Sequence, residues 1–95
     1  MIEILEYTHV GKGPLMGRFS INIAKWGNFY IRDMTYFRTE QKRWVSFPSR
    51  QYEKDGEKKY SPYAGFKESK LSKCFQDKVF EALDEYLKKH KVYEV

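Results

Sequence analysis

Cysteine, proline and glycine are scarce here, and no long apolar run breaks the chain. One cysteine, Cys74, stands among 95 residues. It cannot close an internal disulfide, so nothing in the sequence suggests an oxidising compartment. No stretch approaches the ~20 apolar residues that a membrane helix needs. Met1-Ile2-Glu3 lacks the basic start of an export signal, so a cytoplasmic protein is expected. Three prolines and six glycines leave no linker, and there is no internal repeat. Residues 1–95 are read as one domain. So short a chain has a thin core, which a homodimer would enlarge.

Histidine is equally sparse. His9 and His90 lie at opposite ends, and no His or Cys spacing suits zinc, so neither a metal nor a cofactor is expected. Gly11 and Gly13 lack the Lys-Ser/Thr that completes a phosphate loop. Cys74 reads as a small packing residue at the edge of a helix. Asp33, on a strand, is the carboxylate in the oddest setting, and pairing with a neighbouring arginine or capping a loop accounts for it. The chain is expected to be no enzyme and to take no small-molecule substrate.

What is abundant is aromatic and basic. Two Trp, eight Tyr and seven Phe accompany 18 Lys+Arg against 13 Asp+Glu, a net charge of +5. That aromatic content argues for a folded domain, and the charge favours anionic partners.

The hydrophobic pattern predicts an α+β fold: an antiparallel sheet of four or five strands over about 1–66, then one helix over about 70–90. Ile2–Val10 reads as the first strand, with Ile4-Leu5 breaking its alternation. Phe19, Ile21 and Ile23 alternate with Arg18, Ser20 and Asn22 in a second. Gly27-Asn28 turns into a third, Phe29–Phe37. Strict alternation would put Phe29, Ile31, Asp33, Thr35 and Phe37 on one face and Tyr30, Arg32, Met34 and Tyr36 on the other. Arg38–Arg43 is a polar loop, and Trp44–Phe47 a short strand closed by Pro48. Asp55-Gly56 marks a solvated turn, and Lys58–Tyr63 a fifth strand at an edge. Leu71, Phe75, Val79, Ala82, Leu83 and Tyr86 then recur at helical spacing after Ser69, a predicted N-cap. Lys88, Lys89, His90 and Lys91 suit the negative end of the helix dipole. Phe80 and Leu87 fall off this stripe and are the expected dimer interface, with scattered surface exposure as the alternative.

Sheet aromatics beside arginines can grip single-stranded nucleic acid by stacking and phosphate contact. Tyr30, Arg32, Tyr36 and Arg38 share a predicted face, with Trp26, Trp44 and Tyr52 near strand ends. Residues 38–59 carry seven Lys/Arg against four Asp/Glu.

One stretch is more specific. Phe29-Tyr30-Ile31-Arg32-Asp33-Met34-Thr35-Tyr36-Phe37, then Trp44-Val45-Ser46-Phe47-Pro48-Ser49-Arg50, then Asp55-Gly56-Glu57, resembles the SpoVG family of small bacterial septation and sporulation regulators. The similarity spans roughly residues 15–87, and its most specific part is Phe47-Pro48-Ser49-Arg50 with Asp55-Gly56. The resemblance implies a dimeric DNA- or RNA-binding regulator whose basic residues around the helix start touch nucleic acid. Here Lys67, Lys70 and Lys73 would inherit that role, with Arg50 a further candidate. Ser61-Pro62 stands where the family has His-Pro, and lysines replace the arginine ahead of the helix, which weakens the case for bidentate base reading. Two other readings remain open: a coactivator-like module binding single strands through Tyr30, Arg32, Tyr36 and Trp44, and a protein-interaction or inhibitor adaptor, bacterial or phage, that binds no nucleic acid.

Overall fold

Four strands follow one another as an antiparallel meander. In the computed structural model, which describes residues 2–90, β1 (Ile2–Lys12), β2 (Leu15–Ile23), β3 (Phe29–Arg38) and β4 (Arg43–Ser46) pair in the order β1-β2-β3-β4. A second, two-stranded sheet follows, β5 (Ser49–Lys54) with β6 (Glu57–Pro62), and then helix α1 (Ser69–Lys89). The fold is therefore α+β, a four-stranded antiparallel sheet with one helix after it. The predicted fifth strand does exist, but it pairs with β5 in its own ribbon instead of extending the main sheet. Met1 and residues 91–95, including Lys91, lie outside the described residues.

The loops obey their turn residues. Gly27 (φ 73°) and Asn28 (φ 62°) are both left-handed, as the β2–β3 connection requires, but a single 3-10 turn at Ala24–Trp26 precedes them. Asp55 (φ 54°) and Gly56 (φ 77°) form the tip of the ribbon.

Cross-strand rows build the core. Ile4–Ile21–Ile31 and Tyr7–Phe19–Met34 run across β1, β2 and β3 on the face that α1 covers, followed by Gly17–Tyr36–Val45. Val79, Leu83 and Leu87 of α1 close over them. Tyr7 lies so close over Gly17 that a Cβ there would sit 2.5 Å from its ring and 2.8 Å from the Thr8 carbonyl oxygen. No side chain fits.

Bulges set these rows. Between Ile4 and Glu6, β1 has one residue more than β2 opposite it, so the Ile4-Leu5 irregularity is a real kink. Between Ile31 and Met34, β3 has one more than β2, and Asp33 there is left-handed (φ 58°). That extra residue reverses the alternation. Ile31 joins Met34 and Tyr36 on the covered face, while Thr35 and Phe37 join Tyr30 and Arg32 on the other. The expected grouping of β3 side chains is corrected accordingly.

The helix also sits differently from its predicted stripe. It is turned so that Leu87 is core, at 6% exposure, and Phe80 is half-buried, while Leu71 is half-exposed. Polar bonds to β4 fix this rotation. Gln76 Oε1 accepts from the Val45 amide (3.3 Å), and Asp84 takes a bidentate bond from Arg43 (2.7 and 3.0 Å). The Arg43 guanidinium also lies over the Phe80 ring, 4.3 Å from its centroid. Leu87 is therefore no dimer contact, and Phe80 is occupied within the chain. Cys74 is exposed, not packed. Ser69 is the first helical residue, and Glu68 is the N-cap, making no side-chain capping bond.

Candidate nucleic-acid interface

β4 divides the relevant surface. Its four residues alternate, sending Arg43 and Val45 toward α1 and Trp44 and Ser46 to the uncovered face. A groove lies on either side of this edge strand.

The first groove, about 540 Å³, runs along the helix start. Lys67, Ser69, Ser72, Lys73 and Gln76 line it with Arg43, Phe66 and Asp77. Three aromatic rings place its wall: Phe75 stacks on Phe47 at 5.2 Å, and Phe66 packs on both, at 5.2 and 6.2 Å. They pin the segment before α1 to the sheet, and so position Lys67. Lys67 and Lys73 are thus brought together. Lys70 is exposed but does not line this groove. Arg43, which sequence reading left at the end of a loop, completes the basic side. Its bond to Asp84, against a smaller opposing effect of burial, raises its already high pKa, so the guanidinium is a permanent cation.

The second groove, about 550 Å³, lies on the open sheet face where the ribbon leaves it. Phe37 and Trp44 stack at 5.2 Å with only 10° between their planes, and Lys42 Nζ sits 5.1 Å from the Trp44 ring. Tyr60 and Tyr63, 66% and 71% exposed, line the same groove, as do Arg18, Asp33, Thr35 and Ser46. Sequence reading singled out Trp44 but missed Phe37, Tyr60, Tyr63 and Arg18. No local pattern marks these four, since three separate strands and the segment after β6 bring them to one groove.

The remaining expected site residues separate. Tyr36 is fully buried and cannot stack on a base; its phenol lies in the core without a hydrogen-bond partner, near the Arg43 charge. Tyr30 and Arg32 are exposed on β3, the guanidinium 5.5 Å from the Tyr30 ring, and they line neither groove. Arg50 sits on β5 and lines neither groove as well. Among the described residues no group of three or more His, Cys, Asp and Glu is placed to hold a metal, and no helix is long and apolar enough to cross a membrane. Compared with known proteins, the chain matches no family model, no curated protein and no solved structure.

Proposed function

We propose that this protein is a non-catalytic regulator that binds DNA or RNA at the β4 edge. The observation that carries the reading is the pairing of two unlike grooves across one short strand. One offers Lys67, Lys73 and Arg43 beside two serines, a set suited to phosphates. The other offers flat aromatic surface suited to bases. The net charge of +5 and the resemblance to the SpoVG family over residues 15–87 support the same reading. Phosphate neutralisation supplies most of the affinity. The Lys67→Ala/Lys70→Ala/Lys73→Ala variant is expected to bind single-stranded DNA, duplex DNA and RNA more weakly than the parent, with a flatter salt dependence. Unchanged affinity in a folded variant would remove the helix start from the site.

A homodimer in the cytoplasm belongs to this proposal, on the argument that a core this thin gains from a second copy. With Leu87 buried and Phe80 occupied, the exposed apolar side chains available to such a contact include Trp26 and Phe29, whose rings lie 6.0 Å apart at the β2–β3 end, and Leu5 and Leu71 elsewhere. Light scattering is expected to return twice the 11.5 kDa chain mass. A monomer at tens of micromolar would refute the dimer.

A further inference from the structure

We infer that the open-face groove admits one unpaired base of a single strand and favours guanine. This rests on the nucleic-acid reading above. Four aromatic residues line the groove, Phe37 stacked on Trp44 together with Tyr60 and Tyr63. The lining also includes two exposed charged side chains. Arg18 and Asp33 both line the groove, yet neither has a hydrogen-bond or ion-pair partner among the described residues. Neither ordinary expectation for Asp33, a paired arginine or a capped loop, is thus met.

The backbone singles out the same carboxylate. Asp33 is the left-handed residue of the β3 bulge, a non-glycine at φ 58°, and bulges of this kind re-aim a side chain. The register sets Arg18 opposite Thr35 and Thr35 opposite Ser46, so a row of hydrogen-bonding groups crosses the sheet beside Asp33.

A carboxylate and a guanidinium lining one groove match one base best. Guanine presents N1–H and its 2-amino group as adjacent donors, which a carboxylate accepts with both oxygens. Its O6 and N7 accept from an arginine fork. Thymine and uracil offer a single donor between two acceptors. Cytosine and adenine offer one amino group beside a ring acceptor that would face the carboxylate unfavourably. A proline-rich peptide, the other ligand of aromatic grooves, brings no groups to engage Arg18 and Asp33 together.

The test uses the full chain carrying Trp26→Phe, so that Trp44 alone reports binding. Its fluorescence is titrated with short oligothymidylates, unmodified or with one central guanosine or inosine. Guanosine is expected to tighten binding about tenfold over thymidine, the scale of one bidentate contact. Inosine, which lacks the 2-amino group, is expected to lose most of that gain. Asp33→Asn keeps a residue that tolerates left-handed backbone, so the fold should hold. It is expected to bring the guanosine and thymidine oligonucleotides to equal affinity, whatever the level of that affinity. Equal binding of guanosine and inosine, or a preference that survives Asp33→Asn, overturns the inference and spares nucleic-acid binding. Failure of every oligonucleotide to bind, with Trp44 responding to a proline-rich peptide, overturns both.

Discussion

The meander β1–β4 and the ribbon β5–β6 are both antiparallel β-structure, yet they are held by different forces. Every strand of the meander contributes to the core, and Ile21, Met34 and Tyr36 are wholly excluded from solvent. Every residue of the ribbon is exposed. Its register is set by the Asp55-Gly56 turn and by opposed charges, Glu53 across from Lys58 and Lys54 across from Glu57. At its base the Tyr63 amide donates to the Pro48 carbonyl oxygen at 2.8 Å. Such a two-stranded piece is marginal by itself. Burial of apolar area specifies the meander, whereas the ribbon's surface is under little packing constraint and is free to carry a ligand wall such as Tyr60.

That contrast breaks if core and ribbon substitutions cost alike. Phe19→Ala is expected to cost about 3–5 kcal/mol in chemical unfolding, since a large ring leaves a filled row. Tyr60→Ala is expected to stay within about 0.5 kcal/mol. Comparable losses would mean that the ribbon packs against something the sheet needs.

A smaller effect sharpens the comparison at β4, where core and site meet. Asp84→Asn removes the Arg43 ion pair, whose side chains are 36% and 52% exposed, and is expected to cost no more than about 1 kcal/mol. It also frees a guanidinium that lines the helix-start groove. Low-salt nucleic-acid affinity is therefore expected to rise while stability falls slightly. A fall in both would make Arg43 a structural strut alone.

The smallest expected effect lies in pH. Partial burial, then the nearby Tyr36, raises the Tyr7 pKa above its usual value. The folded state thus resists losing that proton. Its contribution is complete below the ordinary tyrosine pKa near 10 and is lost as pH climbs through the raised value. Tyr7→Phe should show a shallower alkaline loss of stability in unfolding midpoints measured from pH 8 upward. An identical slope would assign the alkaline loss to other groups.

Strand positions, the turns at Gly27-Asn28 and Asp55-Gly56, and the helix were legible from periodicity and turn residues. The faces were less so. One extra residue at Asp33 inverts the alternation beyond it, and period-two reading has no means of seeing an insertion. Alternation alone therefore puts Tyr36 on the surface and gives no reason to single out Phe37. On the helix, apolar spacing located the stripe but not its rotation. The bonds from Val45 and Arg43 of β4 to Gln76 and Asp84 decide that, and they join residues more than thirty positions apart. The lysines before and within the first helical turns were visible as a cluster. Which of them share a groove depends on the Phe47–Phe66–Phe75 packing, and that exists only once the chain has folded.

The kink in β1 has a bearing on colloidal behaviour. β1 is the long outer strand of the main sheet, and an outer strand of eleven residues would ordinarily be a template on which further chains could polymerise. Its pairing with β2 slips at Ile4/Glu6 and again at His9/Lys12. An incoming strand would find only short stretches with a regular spacing of amides and carbonyls, so growth of a fibre from this side would stall after a few residues. The irregularity that spoiled the alternation of Ile4-Leu5 in the sequence thus guards a crowded solution of this protein against open-ended assembly.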